Sequence, residues 1–241
     1  MNILVTGGAG FIGSHTALEL AKNGFTPIIV DNFSNSKREI VGVLDELMGQ
    51  SLKVYDLDVT DKMALRNVFS ENSIDAVIHF AAFKYVVESV VDPLKYFSNN
   101  VIGGIALLEV MDEYNVDKLI FSSSCTAYGA SATAENMPLS ETLPIGNTTN
   151  SYGASKFIQE VIIQDVCKAT GLKCLSLRYF NAVGADKSGK IGDNPPRTFM
   201  LFPAIVKVLK GVDNSLEVRG HGVDTPDGTC LRDYIHASDP H

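Results

Sequence analysis

From Ile3 to Arg178, short apolar runs alternate with longer stretches whose apolar residues recur every three or four positions. The runs Ile3–Thr6, Pro27–Val30, Leu52–Asp56, Ala76–Phe80, Lys118–Ser122 and Cys174–Arg178 predict buried strands, because a strand covered on both faces shows little polar alternation. Between them, Phe11–Asn23, Asp61–Glu71, Leu94–Tyr114 and Tyr152–Thr170 carry the helical spacing. Gly24 and Gly171 follow the first and last of these helices, where glycine commonly ends a helix. Strands and helices in alternation over short connections imply an α/β fold: a doubly wound parallel sheet with helices on both faces.

The pattern changes near Gly184. "GADKSGKIGDNPPRTF" is rich in Gly, Pro and charge and predicts a loop. Beyond it, Pro203–Leu209 reads as a helix, and short strands are expected around Leu216–Val218 and Asp233–Ile235. The closing "ASDPH" reads as a helix start, with Ser238 or Asp239 as cap and Pro240 in the first turn. The chain thus divides into a sheet domain, residues 1–183, and a small region, residues 184–241.

Bulk properties narrow the partners. Of 241 residues 45% are hydrophobic, enough for a sizeable core. No apolar run suits a membrane span, and no basic-then-apolar leader opens the chain, so a cytoplasmic protein is expected. A formal charge of −8 without clustered Lys or Arg argues against nucleic acid. The four cysteines are scattered and read as reduced thiols, and the histidines lack metal-ligand spacing, so no metal is expected.

Two stretches carry chemistry. In "LVTGGAGFIGSH", Gly7, Gly10 and Gly13 lie between a predicted strand and a predicted helix. Gly7 permits a tight turn, Gly10 lets a diphosphate reach the backbone, and Gly13 lets helix pack on strand. The helix start, Phe11 and Ile12, then offers its free N–H groups to phosphate. The next strand ends in Asp31, where an acid holds both hydroxyls of an adenosine ribose and repels a 2′-phosphate; the cofactor is therefore NAD rather than NADP. Asp58-Val59, after the third strand, suits the adenine, while helix capping is the alternative role for that acid.

The second stretch is "SYGASK". Tyr152 and Lys156 share one helix face, and the lysine ammonium, together with the positive nicotinamide ring of an oxidised cofactor, is expected to favour the phenolate so that Tyr152 acts as a base. "FSSSCTAYG" places Ser122, Ser123 and Ser124 at a strand end on the same ligand edge, with Ser124 directed at the reacting oxygen.

Taken together, "TGGAGFIGS", "DNFSNS", "HFAAFK", "SSSCTAYG", "YGASK", "RYFNAVGA" and "DGTCLRDYIH" resemble the UDP-glucose 4-epimerases of the extended short-chain dehydrogenase/reductase superfamily. The resemblance covers almost the whole chain, in order. It implies a Rossmann-type sheet with a small substrate lobe, NAD held by Gly7, Gly10, Phe11, Ile12, Gly13, Asp31, Asn32, Asn35, Asp58 and Val59, and further cofactor contacts from Phe80, Ala81, Lys84, Asn99, Ser122, Tyr152, Lys156, Tyr179 and Phe180. It also implies catalysis by Ser124, Tyr152 and Lys156. Substrate contacts are implied at Lys84, Ser124, Asn181, Leu201, Leu216, Arg219 and Arg232, for a nucleotide sugar such as UDP-glucose or UDP-galactose.

In the superfamily's dehydratases an Asp-Glu pair stands where this chain has Cys125-Thr126, which favours epimerisation over water elimination. A uronate epimerase or a non-catalytic NAD-binding protein are the other readings. Three positions depart from the pattern: Met200 replaces an Asn, Arg219 an aromatic residue, and Val87 a glycine, with strain expected at Val87. Family members continue past the position of His241, so an incomplete substrate lobe is expected. The long helices containing Leu94–Tyr114 and Tyr152–Thr170 are expected to pair in a homodimer.

Overall fold

A computed structural model describes residues 1–194, 200–218, 222 and 225–239. Two units form separately, Met1–Tyr179 and Phe180–His241. The divide falls a few residues ahead of 183, because Asn181–Val183 pairs with a strand of the second unit.

In the first unit the expected strands form as β1 (Asn2–Thr6), β2 (Thr26–Asp31), β3 (Lys53–Asp56), β4 (Ala76–His79), β5 (Lys118–Ser122) and β6 (Lys173–Leu177). They make one six-stranded parallel sheet in the order β3-β2-β1-β4-β5-β6. The order reverses beside β1, and the crevice beyond the strand ends at such a point is where open α/β sheets bind ligands. The register brings Thr6 level with Val30 and His79, His79 level with Phe121, and Ser122 level with Leu177.

Alternate residues of each strand serve opposite faces. Leu4, Ile28, Val30, Val77, Leu119 and Phe121 enter the larger core, while Ile3, Val5 and Ile78 pack with Leu20 and Phe25 on the other side. The larger core is closed by α3 (Lys62–Glu71) through Leu65, Val68 and Phe69, by α6 (Gly103–Glu113) through Leu107, Val110 and Met111, and by α7 (Ser151–Thr170) through Ile163. The opposite side carries α1 (Phe11–Lys22), against which α2 (Glu39–Met48) lies.

Two features of these helices were not legible from periodicity. α2 goes unpredicted because Gly42 interrupts an apolar stretch and only Leu44 is fully buried. The expected continuous helix over Leu94–Tyr114 forms as α5 (Pro93–Tyr96), a π-helical turn (Phe97–Ile102) and α6. It is preceded by α4 (Val86–Val91) and started by Asp92, which accepts from the Lys95 N–H. The strain expected at Val87 does not arise: the residue lies within α4, is exposed, and is not among those with positive φ.

The second unit holds β7 (Asn181–Val183) paired in parallel with β8 (Tyr234–His236), and α8 (Leu201–Leu209). The strand expected over Leu216–Val218 is absent. Leu216 and Val218 are exposed and make no ladder with either strand, so the β-favouring side chains have nothing to pair with. At the chain end Asp239 accepts from the His236 N–H, and Pro240 lies outside the described residues.

Candidate active site

The β1–α1 turn is shaped by its glycines. Gly7 sits at φ +69 and donates to the Val30 carbonyl at 2.7 Å, which binds the turn to β2. A Cβ on Gly7 would lie 2.7 Å from the Ala81 nitrogen, and one on Gly13 would lie 2.2 Å from the Gly7 carbonyl oxygen. The cradle therefore closes only with hydrogen at both positions. α1 begins at Gly10 with no side-chain cap and no acid in its first turn, so its orphan N–H groups and positive dipole end stay available to an anion. These are the requirements for a dinucleotide's diphosphate, and the residues present fit one.

Asp31, at the end of β2, is buried and fully engaged. Oδ2 accepts from the Ala9 N–H at 3.0 Å; Oδ1 accepts from the Phe33 N–H and the Ser36 hydroxyl at 2.9 Å. Asp31 thus fixes the glycine turn. Phe33 takes φ +54 beside it, an uncommon conformation for a bulky residue, of the kind that clusters at ligand sites. Beyond β3, Asp58 accepts from Asn32 Nδ2 at 2.8 Å and from the Thr60 hydroxyl and N–H. Burial raises the Asp58 pKa, but the Thr60 and Asn32 hydrogen bonds outweigh it and hold the carboxyl below its ordinary value. Asp58 is not the cap of α3; Asp61 is, accepting from the Ala64 N–H. Val59 is buried against Gly103, and Asn35 accepts from the Tyr85 hydroxyl at 3.3 Å.

After β4, Phe80 and Ala81 run beside the glycine turn, with the Phe80 N–H on the Thr6 carbonyl at 3.0 Å. Lys84 is half-buried a few residues on. Asn99 lies on the π turn and donates to Asn100 Oδ1. Asn100 was not singled out from the sequence, yet it is wholly buried: it accepts from the Phe83 N–H and donates to the Phe83 carbonyl and the Ser155 hydroxyl. The loop after β4 is thereby anchored to the helix that carries Tyr152. A π turn in a long helix often marks such a site.

Ser124, Tyr152 and Lys156 meet where β5 ends. Ser124 hydrogen-bonds Tyr152 and accepts from the Thr126 hydroxyl at 2.9 Å. Asn150 caps α7 through the Gly153 N–H and so fixes the turn bearing Tyr152. Lys156 is 2% exposed; its Nζ donates to the Ser122 carbonyl at 2.6 Å and stands 4.9 Å from the centre of the Phe121 ring. Burial pulls the Lys156 pKa down to about 7, against the opposing pull of Glu160. Within the chain itself burial raises the Tyr152 pKa, Cys125 adds to the rise and the Ser124 hydrogen bond opposes both.

His79, level with Thr6, shares a 2.6 Å contact between its Nδ1 and the Thr6 hydroxyl. Burial, followed by the Lys156 charge, drives its pKa down to about 3, so the ring is neutral. Tyr179 follows β6, accepts the Cys125 N–H at its carbonyl, and has its hydroxyl pKa raised by burial.

The remaining expected positions belong to the second unit. Phe180 is exposed at its start; Asn181 donates to the Asp233 carbonyl at 2.8 Å; Leu201 opens α8; Leu216 is exposed; and Arg232 donates to the Leu231 carbonyl at 2.8 Å. Arg219 lies outside the described residues.

Residues 3–240 match the NAD dependent epimerase/dehydratase family. The chain is 46% identical to the UDP-glucose 4-epimerase of Erwinia amylovora, over 99% of this chain and 71% of that protein. It is 45% identical to the one from Mus musculus, over 98% and 70% respectively. Among solved structures, the UDP-glucose 4-epimerase from Bifidobacterium longum in complex with NAD+ and UDP superimposes with a TM-score of 0.94 at 46% identity, over 98% of this chain and 70% of that one. The enzyme from Stenotrophomonas maltophila with bound NAD and formylated UDP-arabinopyranose gives 0.91 at 40% identity, over 98% and 70%.

Proposed function

The chain belongs to the NAD dependent epimerase/dehydratase family, and on that premise we propose that it inverts C4 of a UDP-hexose, interconverting UDP-galactose and UDP-glucose through a transient 4-keto sugar. The observation that carries this reading is the meeting of Ser124, Tyr152 and Lys156 at the same sheet edge as the glycine turn and Asp31.

NAD would rest on the Gly7–Gly13 turn with its ribose at Asp31 and its adenine near Asp58 and Val59; when bound it supplies the hydride acceptor and a positive ring that favours a nearby phenolate. Tyr152 takes the proton from the C4 hydroxyl and later returns one, in the manner of a general base and acid. Its high resting pKa keeps the proton on the phenol until positive charge is near. Ser124 hydrogen-bonds the reacting oxygen and fixes the phenol. Lys156, held by the Ser122 carbonyl, would meet the nicotinamide-side ribose and bring its charge into the site. With the cofactor bound, a keto sugar that turned over about its diphosphate link would take the hydride back on its opposite face while Tyr152 returned the proton. Cys125 and Thr126 offer no acid–base pair at the position a dehydratase uses, so elimination has no assistance.

On the substrate side, Lys84, Asn181, Leu201, Leu216, Arg219 and Arg232 are the proposed contacts. The protein acts in the cytoplasm, in galactose metabolism, as a homodimer. Supporting the dimer are Ile102, Ile105 and Val161, apolar and exposed at 53%, 38% and 41% on the π turn, α6 and α7. The chemistry is tested by single-turnover reduction of bound NAD by UDP-galactose, with UDP-glucuronate alongside. Tyr152→Phe should slow it about 10²–10⁴-fold with NAD still bound. A Tyr152→Phe protein that reduced its NAD at the parental rate would remove Tyr152 from the mechanism.

A further inference from the structure

Glu160 lies one helical turn beyond Lys156 on the same face of α7, only 2% exposed, and takes no part in the proton transfer described above. Its carboxylate accepts from the Ser123 hydroxyl, from Arg178 Nε at 3.0 Å and from Arg178 Nη2 at 2.8 Å. The Arg178 guanidinium in turn lies 4.8 Å from the centre of the Tyr128 ring, in the turn that follows Ser124. Ser123 stands between the two residues that handle the proton-transfer pair: Ser122, whose carbonyl holds Lys156, and Ser124, which bonds Tyr152. One carboxylate therefore ties together the end of β5, the end of β6 and the helix that carries Tyr152 and Lys156.

We propose that Glu160 is a positioning residue for the Tyr152–Lys156 pair, fixing the β5 end through Ser123 and stabilising the positive charge of Lys156 from one turn away. The proposal rests on the reading of Tyr152 and Lys156 as the proton-transfer groups. A buried ion pair seldom stabilises a fold more than an apolar packing of the same volume, so architecture alone gives little reason for one here. Its place beside a buried ammonium gives a reason. Among the described residues Lys156 is surrounded by few charges. Along α7 it has Tyr152, protonated at rest, and Glu160; from β4 comes His79, which is neutral; from β5 come the Phe121 ring and the Ser122 carbonyl; and Arg178, after β6, reaches it only through Glu160. Glu160 is the group that opposes the loss of the lysine's proton.

The pH profile of single-turnover NAD reduction by UDP-galactose separates this role from a merely structural one. The alkaline limb reports loss of the Lys156 proton. Glu160→Gln, which preserves shape and the bond to Ser123, should move that limb to lower pH by about one unit. Arg178→Met leaves the carboxylate without its counter-ion and should move the limb upward. Ser123→Ala should lower the maximal rate without moving it. Nitrogen NMR of labelled lysines in cofactor-free protein, with Lys156→Met assigning the signal, should show the same two opposite shifts.

If Glu160→Gln fails to fold, the upward shift in Arg178→Met and the unmoved limb in Ser123→Ala carry the test. Limbs and lysine signals that stay in place in every variant, or move together in one direction, overturn the proposal. Tyr152→Phe run in parallel keeps the premise separate: an inactive Tyr152→Phe with unmoved limbs sinks the Glu160 role alone.

Discussion

Replacing Gly13 by alanine adds one methyl group where the structure has no room for it. The new Cβ would stand 2.2 Å from the Gly7 carbonyl oxygen, 2.8 Å from Gly8 Cα and 3.0 Å from the Gly7 carbonyl carbon. Ordinary contacts between carbon atoms are about 3.5–4.0 Å, so the turn and α1 must part by on the order of 1 Å. All three obstacles are backbone, so no side-chain rotation relieves them. Overpacking of this kind costs about 1–3 kcal/mol, and a wholly backbone clash belongs at the upper end. In a chain of this size each kcal/mol is worth roughly 2–4 °C, so a loss of about 6–12 °C in Tm is expected. The displaced backbone is also the diphosphate cradle, and NAD should be lost on purification. Gly42→Ala is the control. Its Cβ meets nothing within 4 Å on the exposed side of α2, and the same methyl group should stabilise by about 0.5–1 kcal/mol. Calorimetry and the NAD content of denatured samples read both variants. A Gly13→Ala protein that melts with the parent and keeps its NAD would refute the steric argument.

Three further outcomes are expected. Asp31→Ala should weaken NAD binding and leave the buried Ala9 N–H unpaired, at about 1–3 kcal/mol, whereas Asp31→Asn should shift preference toward NADP; unchanged NAD and NADP affinities in equilibrium dialysis would contradict this. Lys156 titrates at about 7 in the folded chain against an ordinary 10.5, so between those values only the unfolded chain holds the proton and stability rises with pH. Urea unfolding at two pH values inside that window should show the slope in the parent and a flatter one in Lys156→Met; equal slopes would disprove the assignment. Asn100→Ala should leave the Phe83 N–H and carbonyl without their partner and cost on the order of 3 kcal/mol in chemical denaturation, a loss that a stability within experimental error of the parent would rule out.

The sheet was legible because its strands are short and mostly apolar, bounded by glycine and polar residues, so the expected boundaries lie within a residue or two of β1 to β6. The glycine turn, Asp31 and the Tyr152–Lys156 spacing were legible because they are local in sequence. What escaped is held across distance. Asn100, Glu160 and Arg178 bond to partners far along the chain, and no window around Asn100 shows that it must satisfy the backbone of Phe83. Glu160 left one faint signal, a carboxylate one turn beyond Lys156 on the same helix face. Spacing tells which side chains share a face, but the burial that raises the Tyr152 pKa is a property of the assembled fold.

The π turn at Phe97–Ile102 has a consequence for the length of the chain rather than its composition. A π turn is in effect a single extra residue accommodated inside an α-helix. Deleting any one residue from it would let the helix rewind as α with every backbone bond still made, and helix propensity would register no fault. The flanking segments would keep their faces, because about five residues through the π turn cover nearly the same rotation as about four in an α-helix. Leu107, Val110 and Met111 would still face the core beyond the turn, and Tyr96 would stay buried ahead of it. What a shortened helix cannot keep is the placement of the turn's own residues, and Asn100 lies among them. A deletion in this segment should therefore leave the fold standing while moving Asn100 off the Phe83 backbone, and a count of residues there is as much a part of the site as the asparagine it aims.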